Sequence, residues 1–196
     1  LGFPMPAYGH TAHLMKFDEE TGGKRKLSKR KDPELSLDYY RKDGYHPSSM
    51  KVYLMTLLNS NFEEWRIANP DAPIEDFKFT TKKMSSSGAL FDLNKLNDVS
   101  KDVLLKLPAS RLCQFMKDWS AEFKPEILPL FEGQEEYLER ILDLGRNDKK
   151  PRKDLVYGKQ IFIIPTGLLL QTDAIIGNRT VNTPDAGFPV AGTAGS

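Results

Sequence analysis

Cysteine, net charge and long apolar runs are all scarce in this sequence of 196 residues, which has one cysteine, three histidines and a net charge of +1. The single cysteine, Cys113, excludes an intramolecular disulfide, and the apolar helical pattern around it predicts a small buried residue in a reducing compartment. The near-neutral charge excludes a polycationic body, so contacts with nucleic acid must come from local patches. No run approaches the roughly 18 apolar residues of a membrane-spanning helix, and no secretory signal opens the chain. We therefore expect a cytoplasmic protein without membrane contact.

A basic segment at residues 22–31, which we call the lysine loop, is the most distinctive feature that is present. Two glycines open it, and Lys or Arg follows at positions 24, 25, 26, 29, 30 and 31. Glycine lets a backbone approach a ligand closely, and flexible ammonium groups suit the moving oxygens of a polyphosphate. Asp32-Pro33 then predicts the start of a helix. Charge alone also fits a solvated basic loop or a localisation signal, because short basic runs are common.

The order of residues in the lysine loop carries more information than its charge. Lys26-Leu27-Ser28-Lys29-Arg30 resembles the second signature of class I aminoacyl-tRNA synthetases, which is Lys-apolar-Ser-Lys-Ser/Arg. Three further stretches resemble bacterial-type glutamyl-tRNA synthetase, namely residues 37–47, 53–54 and 88–96. The resemblance covers residues 1–162. The helical pattern past residue 100 argues against glutaminyl-tRNA synthetases, whose anticodon-binding part is built from β-barrels.

The resemblance implies a mainly α fold whose start is the C-terminal edge of a Rossmann-like catalytic domain. Residues 1–33 would end that domain and contain the ATP-binding loop. Residues 34–99 would form a helical domain that contacts the tRNA stem, and residues 100–162 would begin a helical anticodon-binding bundle. Residues 163–196 are poor in charge, rich in Gly, Thr, Pro and Ala, and outside the resemblance. We expect them to form a poorly ordered or non-native tail, and we assign them no function.

The resemblance also implies a reaction and the residues that perform it. Glutamate and ATP would give glutamyl-adenylate, and the glutamyl group would then pass to a glutamate-accepting tRNA. Lys29 would be the catalytic cation, with Lys26 and Arg30 supporting it, while Ser28 and the backbone of Leu27 would hold the ATP. Magnesium would arrive with ATP as part of the substrate, and no protein-bound metal is expected. The implied partners are tRNA, ATP and L-glutamate.

Local patterns predict several structural details. Apolar periodicity predicts helices over residues 34–42, 45–58, 62–68 and 135–144. Asp92 is placed to cap one helix and Ser100 to cap the next, and Gly44 to end the first. The polar residues 17–23 suggest the tip of a hairpin. Aromatic residues along the helices are more typical of a core than of base stacking.

Two further groups of residues invite a functional interpretation. Lys82 and Lys83 precede Met84-Ser85-Ser86, which imitates the synthetase signature but has Ser86 where the second lysine should stand. The resemblance would bring this lysine pair near tRNA phosphates, and a solvated pair is at least as good an interpretation. His10 and His13 lack the further ligands of a zinc site. We predict that both are structural or peripheral to the site. The resemblance, in which a segment of this kind leads into the lysine loop, leaves proximity to ATP open.

The first class I signature, His-Ile-Gly-His, has no counterpart in the sequence, because the His10–His13 segment has alanine at its third position. The chain also begins at Leu1 without Met, and we expect a fragment that cannot catalyse alone. The alternative is a non-catalytic module that binds tRNA or a protein partner and retains the lysine loop as a remnant of a synthetase.

Overall fold

The computed structural model describes residues 4–162 except residues 7, 9, 19 and 86. The chain divides into two units, Leu1–Ile161 and Phe162–Ser196, and the structure below is that of the first. The tail predicted for residues 163–196 and Ser86 of the imitated signature therefore lie outside the described residues. Among the described helices, none combines the length and apolar character that crossing a bilayer requires.

Helices dominate the described residues, and a small three-stranded sheet accompanies them. The α-helices are α1 (Leu37–Asp43), α2 (Pro47–Leu58), α3 (Phe62–Ala68), α4 (Leu93–Lys106), α5 (Ala109–Phe123) and α6 (Glu135–Asp143). Short 3-10 helices cover Pro33–Leu35, Ile74–Asp76, Thr81–Lys83, Pro125–Leu130 and Gly158–Phe162. The strands are β1 (Leu14–Asp18), β2 (Gly23–Lys26) and β3 (Ala89–Leu90). The mainly helical fold is thus confirmed, while the Rossmann-like edge, the anticodon-binding bundle and the domain boundaries stay predictions.

The sheet is built on a β-hairpin and has the strand order β2-β1-β3. β1 and β2 are antiparallel, with Met15 opposite Lys26 and Asp18 opposite Gly23, and β3 is parallel to β1. Gly22 turns the hairpin with a left-handed φ of 67°, and its N–H donates to Asp18 O at 2.9 Å. The predicted hairpin tip is confirmed. The lysine loop is a loop only in its second half, because its first half pairs with β1 as strand β2.

Gly44 ends α1 as predicted and is also a point of close contact. It has a left-handed φ of 85°, and its carbonyl accepts a hydrogen bond from Gly158 N–H at 2.7 Å. One turn earlier, Trp119 of α5 donates its Nε1–H to Arg41 O at 2.9 Å. The end of α1 is therefore held by both α5 and the C-terminal 3-10 helix.

The predicted helix start at Ser100 is wrong, because α4 runs unbroken through this residue. The helix begins after Asp92, whose carboxylate accepts from Asn94 N–H at 2.8 Å, as predicted. Ser100 is fully buried in the middle of α4. Its hydroxyl has one proton, so it donates to Val156 O at 2.5 Å and accepts from Ser49 Oγ at 3.0 Å. A small polar side chain thus connects α4 with α2 and the C-terminal segment.

A cluster of large side chains forms the core around these contacts. Its buried members are Leu27, Tyr40, Tyr45, Tyr53, Phe91, Leu96 and Val156. Tyr53 packs edge-on against Phe91, and its hydroxyl donates to Asp92 O at 2.8 Å and accepts from Asp92 N–H at 2.7 Å. Burial raises the pKa of Tyr53 to about 12. The cluster therefore joins apolar packing to satisfied polar groups, and it includes Leu27 from the lysine loop.

The second half of the helical body packs around α5. The apolar face of α5 is formed by three buried residues, Leu112, Met116 and Trp119. Cys113 is buried beside them, as predicted, and burial raises the pKa of its thiol. A thiol held in its neutral form and out of solvent is a packing residue and a poor nucleophile.

His46 caps the N-terminus of α2 in a partly buried position. Its Nδ1 accepts from Ser48 N–H at 3.2 Å, and its ring packs edge-on against Phe115 of α5 with centroids 4.7 Å apart. Burial lowers the pKa of His46 below its ordinary value. Protonation would remove the acceptor and add a positive charge at the positive end of a helix.

We predict that Gly44→Ala destabilises the chain far more than Gly133→Ala. Both glycines have left-handed φ, 85° and 70°, so each substitution costs about 1–2 kcal/mol in backbone strain. An added Cβ at Gly44 would also lie 2.7 Å from Gly158 N, whereas at Gly133 it would meet nothing within 4 Å. The overlap should cost about a further 1–3 kcal/mol. Urea unfolding of the two variants measures the difference, and equal losses would contradict the contact.

We also predict a pH dependence of stability that comes from His46. Because the pKa of His46 is lower in the folded chain, the unfolded chain binds more protons near and below the ordinary pKa of about 6.5. The contribution of His46 to stability is therefore complete above that pH and is lost as pH falls below it. His46→Asn keeps a good capping residue without the titration, and it should reduce the loss of stability as pH falls below about 6.5.

His10 is exposed and lies outside the described helices, so a substitution there is the matched control. The measurement is the urea midpoint of unfolding at a series of pH values. His46→Asn should make this midpoint depend less on pH, and His10→Asn should leave its dependence on pH unchanged. The same slope in all three proteins would show that His46 does not contribute.

Candidate nucleotide-binding site

The signature residues of the lysine loop lie where β2 ends and the chain turns. Leu27 is only 3% exposed, and its N–H donates to Leu14 O at 3.0 Å, extending the hairpin by one residue. The next residues form a turn closed by two hydrogen bonds to Ser28 O, from Lys31 N–H at 3.1 Å and from Asp32 N–H at 2.8 Å. Lys29 is therefore on an exposed turn, and Leu27, which directly precedes this turn, is buried in the core.

Asp32 holds the turn from below. Its side chain is 1% exposed, and its carboxylate accepts both Arg25 NH1, at 2.7 Å, and Arg25 NH2, at 2.6 Å. The same carboxylate accepts Ser28 N–H at 2.8 Å, and Lys16 Nζ is 3.9 Å away. Lys16 makes its closer contact with Glu34, at 2.5 Å. Asp32 is therefore close to two cations, Arg25 and Lys16, and Lys16 in turn pairs with Glu34.

This arrangement fixes the charge of the pair. The hydrogen bonds from Arg25 hold the pKa of the Asp32 carboxyl far below its usual range, and those from Ser28 N–H act in the same direction. The hydrogen bond to Asp32 raises the pKa of Arg25. Arg25 is one of the six basic residues of the lysine loop, and this ion pair neutralises its charge. The pair remains ionised throughout the neutral range.

Asp32 was missed as a site residue by sequence reasoning, which assigned it only to the start of a helix. That part is confirmed, since a 3-10 helix begins at Pro33. A signal was present, because Asp32 is the sole acidic residue between Glu20 and Glu34 and directly follows the basic run. Such an acid is well placed to neutralise one of the neighbouring cations.

The remaining basic side chains of the loop are differently placed. Lys29, Arg30 and Lys31 are exposed, and their side chains make no ion pair within the described residues. Lys26 Nζ lies 3.1 Å from Nε2 of His13. His13, which we predicted to be structural or peripheral, is thus a direct neighbour of the signature, while His10 is exposed elsewhere on the N-terminal segment.

Ser28 occupies the centre of the signature and is half-buried. Its Oγ accepts Arg30 N–H at 3.3 Å, and its hydroxyl proton is left to donate. The N–H of Leu27 is already used by Leu14 O, so only the Leu27 carbonyl could serve a ligand. Of the polar groups of these two residues, the Ser28 hydroxyl and the Leu27 carbonyl are therefore the ones that could hold a nucleotide.

Lys82 and Lys83 belong to a different surface. Both are exposed in the 3-10 helix Thr81–Lys83, whose first turn is capped by Thr80 Oγ1 accepting from Lys82 N–H at 3.4 Å. Among the described residues neither side chain makes an ion pair or a side-chain hydrogen bond. The described residues also contain no group of three His, Cys, Asp or Glu able to hold a metal.

Comparison with known proteins identifies the relatives of the chain. No protein-family model matches it. A glutamate–tRNA ligase of Acetivibrio thermocellus is 60% identical over 162 residues, which is 83% of this chain and 29% of that protein. Glutamate–tRNA ligases of Clostridium perfringens and Sorangium cellulosum are 45% and 38% identical, over 79% and 78% of this chain and 28% and 29% of theirs.

The chain therefore spans less than a third of the length of the curated relatives that it matches. High identity extends over most of this chain, so the likeness does not rest on one short motif. The resemblance indicated by the lysine loop is confirmed, because the curated homologues of the chain are glutamate–tRNA ligases. A match to less than a third of their length is consistent with a fragment of such a protein.

Proposed function

We propose that this chain is the part of a glutamate–tRNA ligase that carries the second ATP signature and regions that contact tRNA. The complete ligase would activate glutamate with ATP to glutamyl-adenylate and then transfer the glutamyl group to tRNA in the cytoplasm. The observation that carries the proposal is the display of Lys29 and Arg30 on a turn held by the core and by Asp32. The named activity of the relatives supports the same assignment.

The proposed role of Lys29 follows from the charge that develops during glutamate activation. Attack on the α-phosphate of ATP moves negative charge onto the β- and γ-phosphates, and a positioned cation stabilises that charge. Lys29 is an exposed ammonium without an ion pair among the described residues, so its charge is available to a phosphate. Arg30 and Lys26 would support it from the two sides of the turn. Magnesium would be part of the ATP substrate.

The nucleotide itself would be held by the groups that the turn leaves unused. The Ser28 hydroxyl still has its proton to donate, and the Leu27 carbonyl can accept. Because Leu27 is fixed by the core, a nucleotide bound there would have a defined position relative to Lys29. The proposed tRNA contacts are the exposed Lys82 and Lys83, which would meet phosphates as unpaired cations.

A second candidate function is a non-catalytic module that binds tRNA or a protein and retains the lysine loop as a remnant of a synthetase. It is favoured by the presence of only one of the two ATP signatures in the sequence. The reading frame upstream of Leu1 discriminates between the two functions. A His-Ile-Gly-His-type signature in that frame supports the enzyme, and a start codon close to Leu1 supports the module.

We predict that the 196-residue chain alone does not catalyse ATP–pyrophosphate exchange with glutamate. The physical reason is that one group of cations cannot both bind ATP and orient the glutamate carboxylate for attack. The assay uses the purified chain, with the Acetivibrio thermocellus relative as the positive control. Exchange above background by this chain would refute the prediction.

We further predict that Lys29→Ala lowers the exchange rate on the order of 10²–10³-fold, the loss typical of removing one transition-state donor. The variant is made in a chimera in which the matched part of this chain replaces the corresponding part of the Acetivibrio thermocellus ligase. Steady-state exchange at saturating ATP measures the effect.

Lys31→Ala is the matched control, because Lys31 is an exposed lysine of the same turn outside the signature. It should change the rate no more than about threefold, in keeping with a solvated surface charge. Equal effects of the two variants would remove the assignment of Lys29, and an inactive chimera would favour the non-catalytic module.

A further inference from the structure

We propose that Asp32, paired with Arg25, is a positioning residue that fixes the backbone of the lysine loop and so sets the location of Lys29. The inference rests on the proposed function for its kinetic consequence, while its structural part concerns this chain alone. Asp32 lies outside the signature and is not a catalytic residue in this proposal, since it would act through the turn.

The contacts of Asp32 show what it holds. Its carboxylate accepts Ser28 N–H at 2.8 Å, and its own N–H donates to Ser28 O at 2.8 Å. Both backbone polar groups of Ser28 are therefore bound by one residue. Since Ser28 directly precedes Lys29, this double contact fixes the direction in which the chain enters the exposed turn.

Arg25, which lies in β2, completes this arrangement, and we call the Asp32–Arg25 pair the clamp. Its guanidinium meets Asp32 through two parallel hydrogen bonds of 2.7 and 2.6 Å, and NH1 also reaches Lys26 O at 3.4 Å. The clamp therefore grips the backbone on both sides of Leu27, at Lys26 and at Ser28. A planar guanidinium suits this two-point contact, which a lysine at position 25 could not reproduce.

The buried position of Asp32 explains how an acid can stand beside a proposed phosphate site. A free carboxylate there would repel ATP, but this one is 1% exposed and faces Arg25, with Lys16 3.9 Å away. Its short contacts are all with protein groups, and at 1% exposure its oxygens are not open to a ligand. Its charge is neutralised locally, and its effect on the surface is through geometry.

The first arm of the test measures the turn in this chain by hydrogen exchange. Asp32→Asn keeps the shape of the side chain but loses its charge, and it should speed exchange of the Ser28 amide at least about tenfold, as expected for loss of a charge-assisted hydrogen bond. Glu34→Gln is the matched control, because Glu34 pairs with Lys16 but not with the turn. It should leave the Ser28 amide unchanged.

Arg25→Lys is the milder second variant in case Asp32→Asn does not fold. It keeps the positive charge but removes the two-point contact with Asp32. It should speed hydrogen exchange of the Ser28 amide by a smaller factor than Asp32→Asn does. Unchanged exchange in the folded Asp32 or Arg25 variants would overturn the clamp.

The second arm tests the positioning of Lys29 by a double-mutant cycle in the chimera. Asp32→Asn should lower the rate of ATP–pyrophosphate exchange on the order of 10–100-fold, as displacement of a catalytic group does. In the Lys29→Ala background the same substitution should have less than about a twofold effect, because its action is through Lys29. A merely structural role would predict equal effects in both backgrounds, and that result would overturn the positioning of Lys29.

The two arms separate this inference from the proposed function. If Lys29→Ala alone leaves the chimera fully active, the proposed role of Lys29 fails, and with it the positioning of a catalytic cation. The clamp is then decided by hydrogen exchange in this chain, where activity has no part.

Discussion

The burial of Leu27 is the contact on which the arrangement of the site depends. Its side chain lies in the same cluster as Tyr40, Tyr45 and Phe91, so the residue that precedes the exposed turn is part of the core of the helical body. Its N–H continues the hairpin by bonding Leu14 O. An exposed turn of lysines would otherwise be free to move. Here it departs from a point that apolar packing and a strand hydrogen bond both fix, and Asp32 closes it five residues later.

The parallel pairing of β1 with β3 extends this constraint to a distant part of the sequence. Phe91 N–H donates to Met15 O at 2.7 Å, and an added Cβ at Gly88 would lie 2.9 Å from His13 O, so the two segments approach too closely for any side chain there. The segment that follows Lys83 is in this way attached to the strand that supports the lysine loop. A displacement of β1 would be felt on both sides, since packed elements move as units and deform little.

The sequence predicted the features that depend on local chemistry. Gly44 ends α1, Asp92 caps α4, and Gly22 turns the hairpin, because each of these depends on a few neighbouring residues. The errors arose where distant residues decide. Ser100 has the composition of a cap, but its hydroxyl is used by Ser49 and Val156, about fifty residues away on either side. The ion pair of Asp32 with Arg25 and the approach of His13 to Lys26 depend on the hairpin register, which residue types alone did not specify.

A net charge of +1 is compatible with a phosphate site because the charges of the chain are distributed unevenly between paired and unpaired positions. Four lysines that line the groove between α2, α3 and α4 are matched by acids, in the pairs Lys51–Glu75, Lys95–Glu63, Lys106–Asp71 and Lys153–Asp102. Such exposed pairs contribute little to stability, but they cancel the local field. Beside the turn after β2, Asp32 is paired with Arg25 and Glu34 with Lys16, and Lys29, Arg30 and Lys31 are left unmatched within the described residues. Local pairing, and not the total charge, therefore decides where a polyphosphate would be attracted.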